Sequence, residues 1–176
     1  MSDSLFASLK DAAAVEWRAY THHDFVRGMA DGSLPEAAFR HYLGQDYLFL
    51  IHFARAYALA AYKSTELADI RQAAKGLSAI VDLEMGLHVQ FCTGWGMTEA
   101  EMAALPEADA TMAYTRYVLE KGLSGDLLDL HVALAPCIVG YGEIGAWLAS
   151  DPQTRHEGNP YAAWIDMYAS PDYQSV

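Results

Sequence analysis

A chain of 176 residues with 53% hydrophobic and 12% aromatic residues has enough apolar material to fold as one domain, which excludes general disorder. Its 11 basic and 23 acidic residues give a net charge of −12, which disfavours nucleic acids and anionic membranes as partners. We expect a cytoplasmic protein without a signal peptide or membrane helix, because the apolar runs are short and the two cysteines suit a reducing compartment.

Helical spacing of apolar residues accounts for almost the whole chain. The capping-box patterns Ser33–Glu36 and Thr98–Glu101 predict helix starts, and Asp31-Gly32 is typical of a helix end. We therefore predict a single all-α domain over 1–176, a bundle of long helices with short connections. In chain order, the predicted helices span about 4–20, 24–29, 33–63, 64–93, 108–121 and 124–150, with a short last helix within 159–168.

A carboxylate interrupts an aromatic stripe on the third predicted helix. Tyr42, Asp46, Phe49 and Phe53 are spaced four, three and four residues apart, so they share one face. An unpaired carboxylate is costly to bury there. Asp46 is therefore either bonded to a backbone amide or an arginine at the edge of the stripe, or it belongs to a functional site.

The next predicted helix carries Glu84 and His88 four residues apart on one face. Such a pair can ligate a metal in a helical bundle, but a di-iron site needs Glu-x-x-His on two helices, and this sequence has none. The pattern favours a buried hydrogen-bonded pair.

A cysteine follows a proline inside the helix predicted over 124–150. Pro136 removes a backbone hydrogen bond, Cys137 comes next, and Tyr141 lies one turn further on. Cys137 is either a nucleophile at a ligand site or an inert buried thiol. Tyrosines on three C-terminal segments, Tyr114, Tyr141 and Tyr168, are suited to a cavity for a flat heteroaromatic ligand.

The sequence resembles the thiaminase II (TenA) family, which has the haem-oxygenase-like fold. The resemblance covers nearly the whole chain in order, and it implies a bundle of about seven to eight helices. It rests on five groups of residues: His23 to Gly28 with Asp31 to Pro35; Phe39 to Tyr42 with Gln45, Asp46, His52 and Phe53; Glu84-Met85 with His88; Leu134 to Cys137 with Tyr141, Glu143 and Gly145; and Tyr161, Trp164, Ile165 and Tyr168.

The resemblance implies an aminopyrimidine hydrolase of thiamin salvage. Such enzymes convert aminomethylpyrimidine to hydroxymethylpyrimidine, many also cleave thiamin, and neither a metal nor an organic cofactor is implied. By the same resemblance, Cys137 attacks the pyrimidine ring, and Asp46 holds the amino group and a ring nitrogen. The resemblance also implies a homo-oligomer, namely a tetramer. The resemblance also assigns Tyr114 a hydrogen bond near the cysteine. Three further residues line the ring or stack on it: Tyr141, Tyr168 and Phe49.

The sequence also departs from the family's pattern. Some relatives have tyrosine where Phe49 stands, and Cys137 assigns the chain to the cysteine-containing branch. The resemblance leads us to expect a further helix with a proton-donating glutamate, but the sequence stops at Val176. Two alternatives therefore remain open: a pyrimidine-binding protein without turnover, and a metal-dependent oxidase on the same fold that uses Glu84 and His88.

Overall fold

The computed structural model describes residues 4–175, except the side chains of Leu83 and Leu87. Within these residues all regular structure is helical, which confirms the predicted all-α class. A π-helical turn, Ile80–Glu84, joins α5 to α6. The helices are α1 (Leu5–Ala12), α2 (Ala14–Thr21), α3 (Asp24–Asp31), α4 (Glu36–Lys63), α5 (Leu67–Ala79), α6 (Met85–Gly94), α7 (Glu99–Ala103), α8 (Asp109–Ser124), α9 (Leu127–Ser150), α10 (Ala162–Ala169) and α11 (Pro171–Gln174).

Two of the predicted helices are interrupted, and the short helices α7 and α11 lie outside the predicted ranges. The first breaks at Ala13, which leaves helical geometry (φ −112°, ψ 27°) and caps the carbonyls of Leu9 and Asp11 with its N–H. The helix predicted over 64–93 is interrupted by the π-helical turn. Both interruptions are single-turn changes in backbone bonding, which apolar spacing does not report.

The helix ends show which capping signals form. Gly32 adopts φ +77° and ends α3, as the turn pair predicts. The Thr98–Glu101 capping box forms at α7. A helix begins in the segment Ser33–Glu36, as predicted, but its first residue is Glu36 and the capping-box bonds do not form: the N–H of Ser33 bonds the Asp31 carboxylate, and Glu36 pairs with Arg40.

The chain divides into two compact units, one formed by residues up to Pro35 with those from Ala135 onward, the other by Glu36–Leu134. In the first unit, the buried Asn159 donates to the carbonyl oxygens of Met29 (2.9 Å) and Ala30 (3.1 Å). These bonds tie the loop after α9 to the end of α3, ahead of α10.

The second unit is built around α4, the longest helix described, which packs against α5, α6 and α8. Its buried stripe includes Leu43, Leu50 and Ala56, each at most 2% exposed. Burial of this stripe is the main stabilising contribution expected for the unit, since each fully buried leucine contributes roughly 2 kcal/mol. The same stripe aims Asp46 into the interior.

By length and composition, α9 is also apolar enough to cross a membrane, with a mean hydropathy of 1.5 over its best 18 residues. The short apolar runs of the sequence predict no such helix. Length and composition do not distinguish a crossing helix from a core helix. Leu130, Leu134 and Leu148 of α9 are at most 2% exposed, and 39% of the apolar window is buried within the protein.

Candidate functional site

Asp46 lies on α4 with only 8% of its surface exposed. Its Oδ2 accepts a hydrogen bond from the Tyr42 hydroxyl (3.1 Å) and lies 2.7 Å from Nε2 of His88 on α6. The other ring nitrogen of His88, Nδ1, lies 2.8 Å from the backbone carbonyl oxygen of Glu84. The partners of Asp46 are thus a histidine and a tyrosine, where the sequence suggested a backbone amide or an arginine.

The π-helical turn sets the position of His88. Its closing bond runs from the N–H of Met85 to the carbonyl oxygen of Ile80, five residues back. A π turn holds one more residue than an α turn, so it changes the face that the following helix presents, and such turns are frequent at functional sites. Glu84 and His88 are a bonded pair, as favoured, but through the backbone carbonyl of Glu84.

Burial and charge shift the pKa values of both residues. Burial, with the neighbouring charge of Asp46, raises the pKa of Glu84 from 4.5 to about 7. Burial alone would lower the pKa of His88, but the hydrogen bond and charge of Asp46 outweigh it, so this pKa is raised. A buried aspartate, a partly buried glutamate and a histidine therefore lie together, and the pKa of Glu84 falls near neutral pH.

Replacing Glu84 by glutamine is expected to change how stability depends on pH. The folded protein holds the Glu84 proton up to about pH 7, while the unfolded chain releases it near pH 4.5, so wild type loses stability as pH rises through this interval. The free energy of unfolding of Glu84→Gln, relative to that of wild type, should therefore rise by up to about 3 kcal/mol across this pH interval. Urea unfolding at pH 5 and pH 8 measures the difference.

Glu157 is exposed, and Glu157→Gln is the matched control. The difference in free energy of unfolding between this variant and wild type should change far less between these pH values. A stability difference for Glu84→Gln that stays constant from pH 5 to pH 8 would show that Glu84 titrates normally.

Phe49 and Tyr114 form one aromatic contact in the second unit. Their rings stack with centroids 5.8 Å apart and planes 13° apart, and Phe53 also stacks on Phe49, with centroids 5.2 Å apart. The Tyr114 hydroxyl donates to the carbonyl oxygen of Ala133 at 2.9 Å. Ala133 lies on α9 four residues before Cys137, so this bond lies one helical turn from the cysteine in sequence.

Cys137 lies on α9, 9% exposed, directly after Pro136. The neighbouring backbone carbonyls accept side-chain hydrogen bonds: the Tyr20 hydroxyl donates to Pro136 (2.9 Å), and the Tyr173 hydroxyl to Ile138 (3.3 Å). These bonds fix the backbone that carries the thiol. Sequence reasoning missed both tyrosines, because Tyr20 ends a helix of ordinary amphipathic pattern and Tyr173 lies beyond the last predicted helix.

The second cysteine has a different environment. Cys92 is 1% exposed on α6, and burial raises the pKa of its thiol. A raised pKa keeps the thiol protonated and unreactive at neutral pH. Cys92 is therefore a matched control for Cys137.

Tyr141 and Tyr168 lie in one aromatic cluster in the first unit. Their ring centroids are 5.0 Å apart, and Trp164 (4.3 Å) and Tyr173 (4.8 Å) also pack on Tyr168. Tyr168 is 3% exposed. The structure thus brings Tyr141 together with Tyr168, and Phe49 together with Tyr114.

A glycine allows α9 and α10 to approach closely beneath this cluster. A Cβ on Gly145 would lie 2.5 Å from the backbone carbon of Tyr168. Gly145→Ala should therefore push Tyr168 outward and destabilise the protein by about 1–3 kcal/mol, measured by urea unfolding. Gly86→Ala on α6 is the matched control: its Cβ would meet nothing within 4 Å, so it should stabilise the protein by roughly 0.5–1 kcal/mol. Equal effects of the two variants would contradict this packing.

Glu143 is already engaged by the N-terminal helices. Its Oε2 accepts hydrogen bonds from Nζ of Lys10 (2.7 Å) and from Nε1 of Trp17 (3.1 Å). The carboxylate therefore joins α9 to α1 and α2.

Two other features give no sign of a metal or ligand site. Among the described residues, no group of three or more His, Cys, Asp and Glu side chains is arranged to hold a metal ion. A hollow of about 550 Å³ lies on the surface of α2 and α3, and none of the predicted site residues lines it. Its lining residues are Ala14, Val15, Arg18, Ala19, His22 and Arg27.

Residues 11–176 match the model of the TENA/THI-4/PQQC family. The chain belongs to this family, as its motifs predict.

Three relatives illustrate the similarity. An uncharacterised protein of Haemophilus influenzae is 40% identical over 91% of this chain and 74% of its own length. The aminopyrimidine aminohydrolase of Halalkalibacterium halodurans is 38% identical over 98% of this chain and 77% of its own length. A TenA family transcription regulator from Silicibacter sp. TM1040, known from its crystal structure, is 47% identical in sequence. The match covers 99% of this chain and 77% of that chain, with a TM-score of 0.92.

Proposed function

We propose that the chain is an aminopyrimidine aminohydrolase of thiamin salvage, which converts 4-amino-5-aminomethyl-2-methylpyrimidine and water to the 5-hydroxymethyl product and ammonia. The observation that carries the proposal is the 38% identity to the aminopyrimidine aminohydrolase of Halalkalibacterium halodurans over 98% of the chain. The buried Asp46 and the stacked rings of Phe49 and Tyr114 supply the polar and flat apolar surfaces that such a ring needs.

In the proposed mechanism Cys137 is the nucleophile. Its thiolate adds to a carbon of the pyrimidine ring, the bond from the exocyclic methylene to nitrogen breaks, and the amine takes up a proton and leaves as ammonia. Water then adds to the methylene carbon and gives up a proton, which replaces the one taken up by the amine, and the carbon–sulfur bond breaks to restore the thiolate. This is the chemistry of the family's cysteine-containing branch, and no cofactor takes part.

The other predicted residues hold the ring. Asp46 accepts hydrogen bonds from the pyrimidine and fixes its orientation. Tyr114 fixes the backbone one turn before the nucleophile through its bond to Ala133. The remaining ring contacts are assigned to Phe49, Tyr141 and Tyr168.

We further propose a cytoplasmic homo-oligomer, a tetramer as the family resemblance implies. Support comes from one face of α9, where Leu128, Val132 and Val139 are 54%, 41% and 40% exposed. Exposed apolar residues in one stripe are typical of an interface. The net charge of −12 disfavours nucleic acid and anionic membrane partners, so the regulatory role named for the Silicibacter protein is not carried over.

Substrate comparison tests the proposed function. The chain is incubated with aminomethylpyrimidine and with thiamin, and hydroxymethylpyrimidine is quantified by chromatography. We expect aminomethylpyrimidine to be converted. If hydroxymethylpyrimidine raises the melting temperature but no product forms, the chain is a binding protein, and the proposed reaction is wrong.

A further inference from the structure

The ring of His88 lies between two hydrogen-bond acceptors. Nδ1 is 2.8 Å from the backbone carbonyl oxygen of Glu84, and Nε2 is 2.7 Å from Oδ2 of Asp46. A carbonyl oxygen can only accept, so Nδ1 must carry a hydrogen. The state of the site therefore depends on which partner holds the proton between Nε2 and Asp46.

The geometry at Oδ2 favours a carboxylate. Oδ2 accepts from the Tyr42 hydroxyl (3.1 Å) as well as lying against Nε2 of His88. A carboxylate oxygen accepts both bonds with its two lone pairs, and 2.7 Å is typical of a bond from a charged nitrogen to a carboxylate. His88 then donates from both nitrogens as an imidazolium.

We propose that His88 is a positioning residue that carries two ring protons, holds Oδ2 of Asp46 in a carboxylate, and leaves Oδ1 to accept an N–H of the aminopyrimidine. Oδ1 has no hydrogen-bond partner within the described part of the chain. The assignment of the ligand rests on the proposed function, whereas the protonation of His88 stands without it.

The charges around His88 are consistent with a retained proton. From α4 it faces Asp46, which also accepts from the Tyr42 hydroxyl, and from the π-helical turn it faces Glu84. The acids of α7 are engaged elsewhere: Glu99 bonds Tyr47, and Glu101 bonds Thr98. No described arginine or lysine contacts the ring.

His52 is a natural internal control in the same protein. Its Nε2 lies 3.1 Å from Glu107, but guanidinium nitrogens of Arg116 and Arg55 lie 3.0 Å from its two ring nitrogens. Arg55 can only donate, so Nδ1 accepts and carries no hydrogen, while Nε2–H donates to Glu107; the His52 ring is therefore neutral. Burial and the two arginines lower the pKa of His52 accordingly.

Nitrogen NMR of the ¹⁵N-histidine-labelled protein without ligand tests the protonation. We expect two protonated ring nitrogens on His88 at pH 8, while His52 shows one. In Asp46→Asn, His88 should lose a proton at a lower pH than in wild type. A single-proton His88 at pH 8 in wild type would overturn the proposal, whatever the activity of the protein.

Ligand affinity tests the positioning role separately. His88→Gln should raise the Kd for hydroxymethylpyrimidine about ten- to a hundredfold, because Asp46 loses a charge-assisted partner. In the Asp46→Asn background the same substitution should have little further effect. Equal losses in both backgrounds, with melting temperatures unchanged, would show that His88 acts independently of Asp46. If wild type binds no pyrimidine while His88 is doubly protonated, the proposed function is wrong and the protonation is not.

Discussion

Replacing Cys137 by serine is expected to lower kcat for ammonia release at least about a thousandfold. A hydroxyl ionises far less readily than a thiol, so the variant cannot form the ring adduct at a useful rate. Affinity for hydroxymethylpyrimidine should change little, because serine preserves the size and position of the side chain. Ammonia release and equilibrium binding, measured on the same preparation, separate the two effects.

Cys92→Ala is the matched control for this variant. Cys92 is also buried on a helix, but burial raises the pKa of its thiol, and no role in the reaction is assigned to it. It should keep turnover close to wild type at a modest loss of stability. If Cys137→Ser retains more than about a tenth of wild-type turnover, the covalent mechanism is wrong.

Replacing Asp46 by asparagine should weaken pyrimidine binding by about a hundredfold. The amide retains an oxygen acceptor, but it loses the charge that pairs with His88 and can turn a donor towards Nε2. Titration calorimetry with hydroxymethylpyrimidine measures the loss.

Because removing one partner of a buried charged pair is destabilising, the melting temperature must be measured beside the affinity. Tyr42→Phe is the milder companion variant: it removes one of the two donors to Oδ2 and should weaken binding less than Asp46→Asn does. The exposed Asp69→Asn on α5 controls for the change in net charge. Wild-type affinity in a folded Asp46→Asn variant would exclude Asp46 from ligand recognition.

The sequence predicts the helical class and most helix positions, because apolar spacing and caps such as Gly32 and Thr98 act locally. It does not predict the π-helical turn, since one extra residue in a turn leaves the amino-acid pattern looking helical. The start of α4 at Glu36 was not predicted either, because the residues of the capping-box pattern bond elsewhere. The Asp31 carboxylate accepts from the N–H of Ser33, and Glu36 pairs with Arg40.

The candidate site was predicted residue by residue from motifs, whereas its supporting contacts were not. The spacing of Asp46 within an aromatic stripe indicated an unusual buried carboxylate, but the choice of His88 as its partner depends on how α4 and α6 pack. The bonds from Tyr20 and Tyr173 to the backbone beside Cys137 join residues far apart in sequence, and no local pattern encodes them.

The most direct test is ammonia release from aminomethylpyrimidine by the 176-residue chain, with hydroxymethylpyrimidine quantified in the same reaction. We predict that wild type and Cys92→Ala each form ammonia and hydroxymethylpyrimidine in equal molar amounts. Cys137→Ser should form neither product above background. Wild-type protein that releases no ammonia, or Cys137→Ser protein that releases it at the wild-type rate, would contradict cysteine-dependent aminopyrimidine hydrolysis.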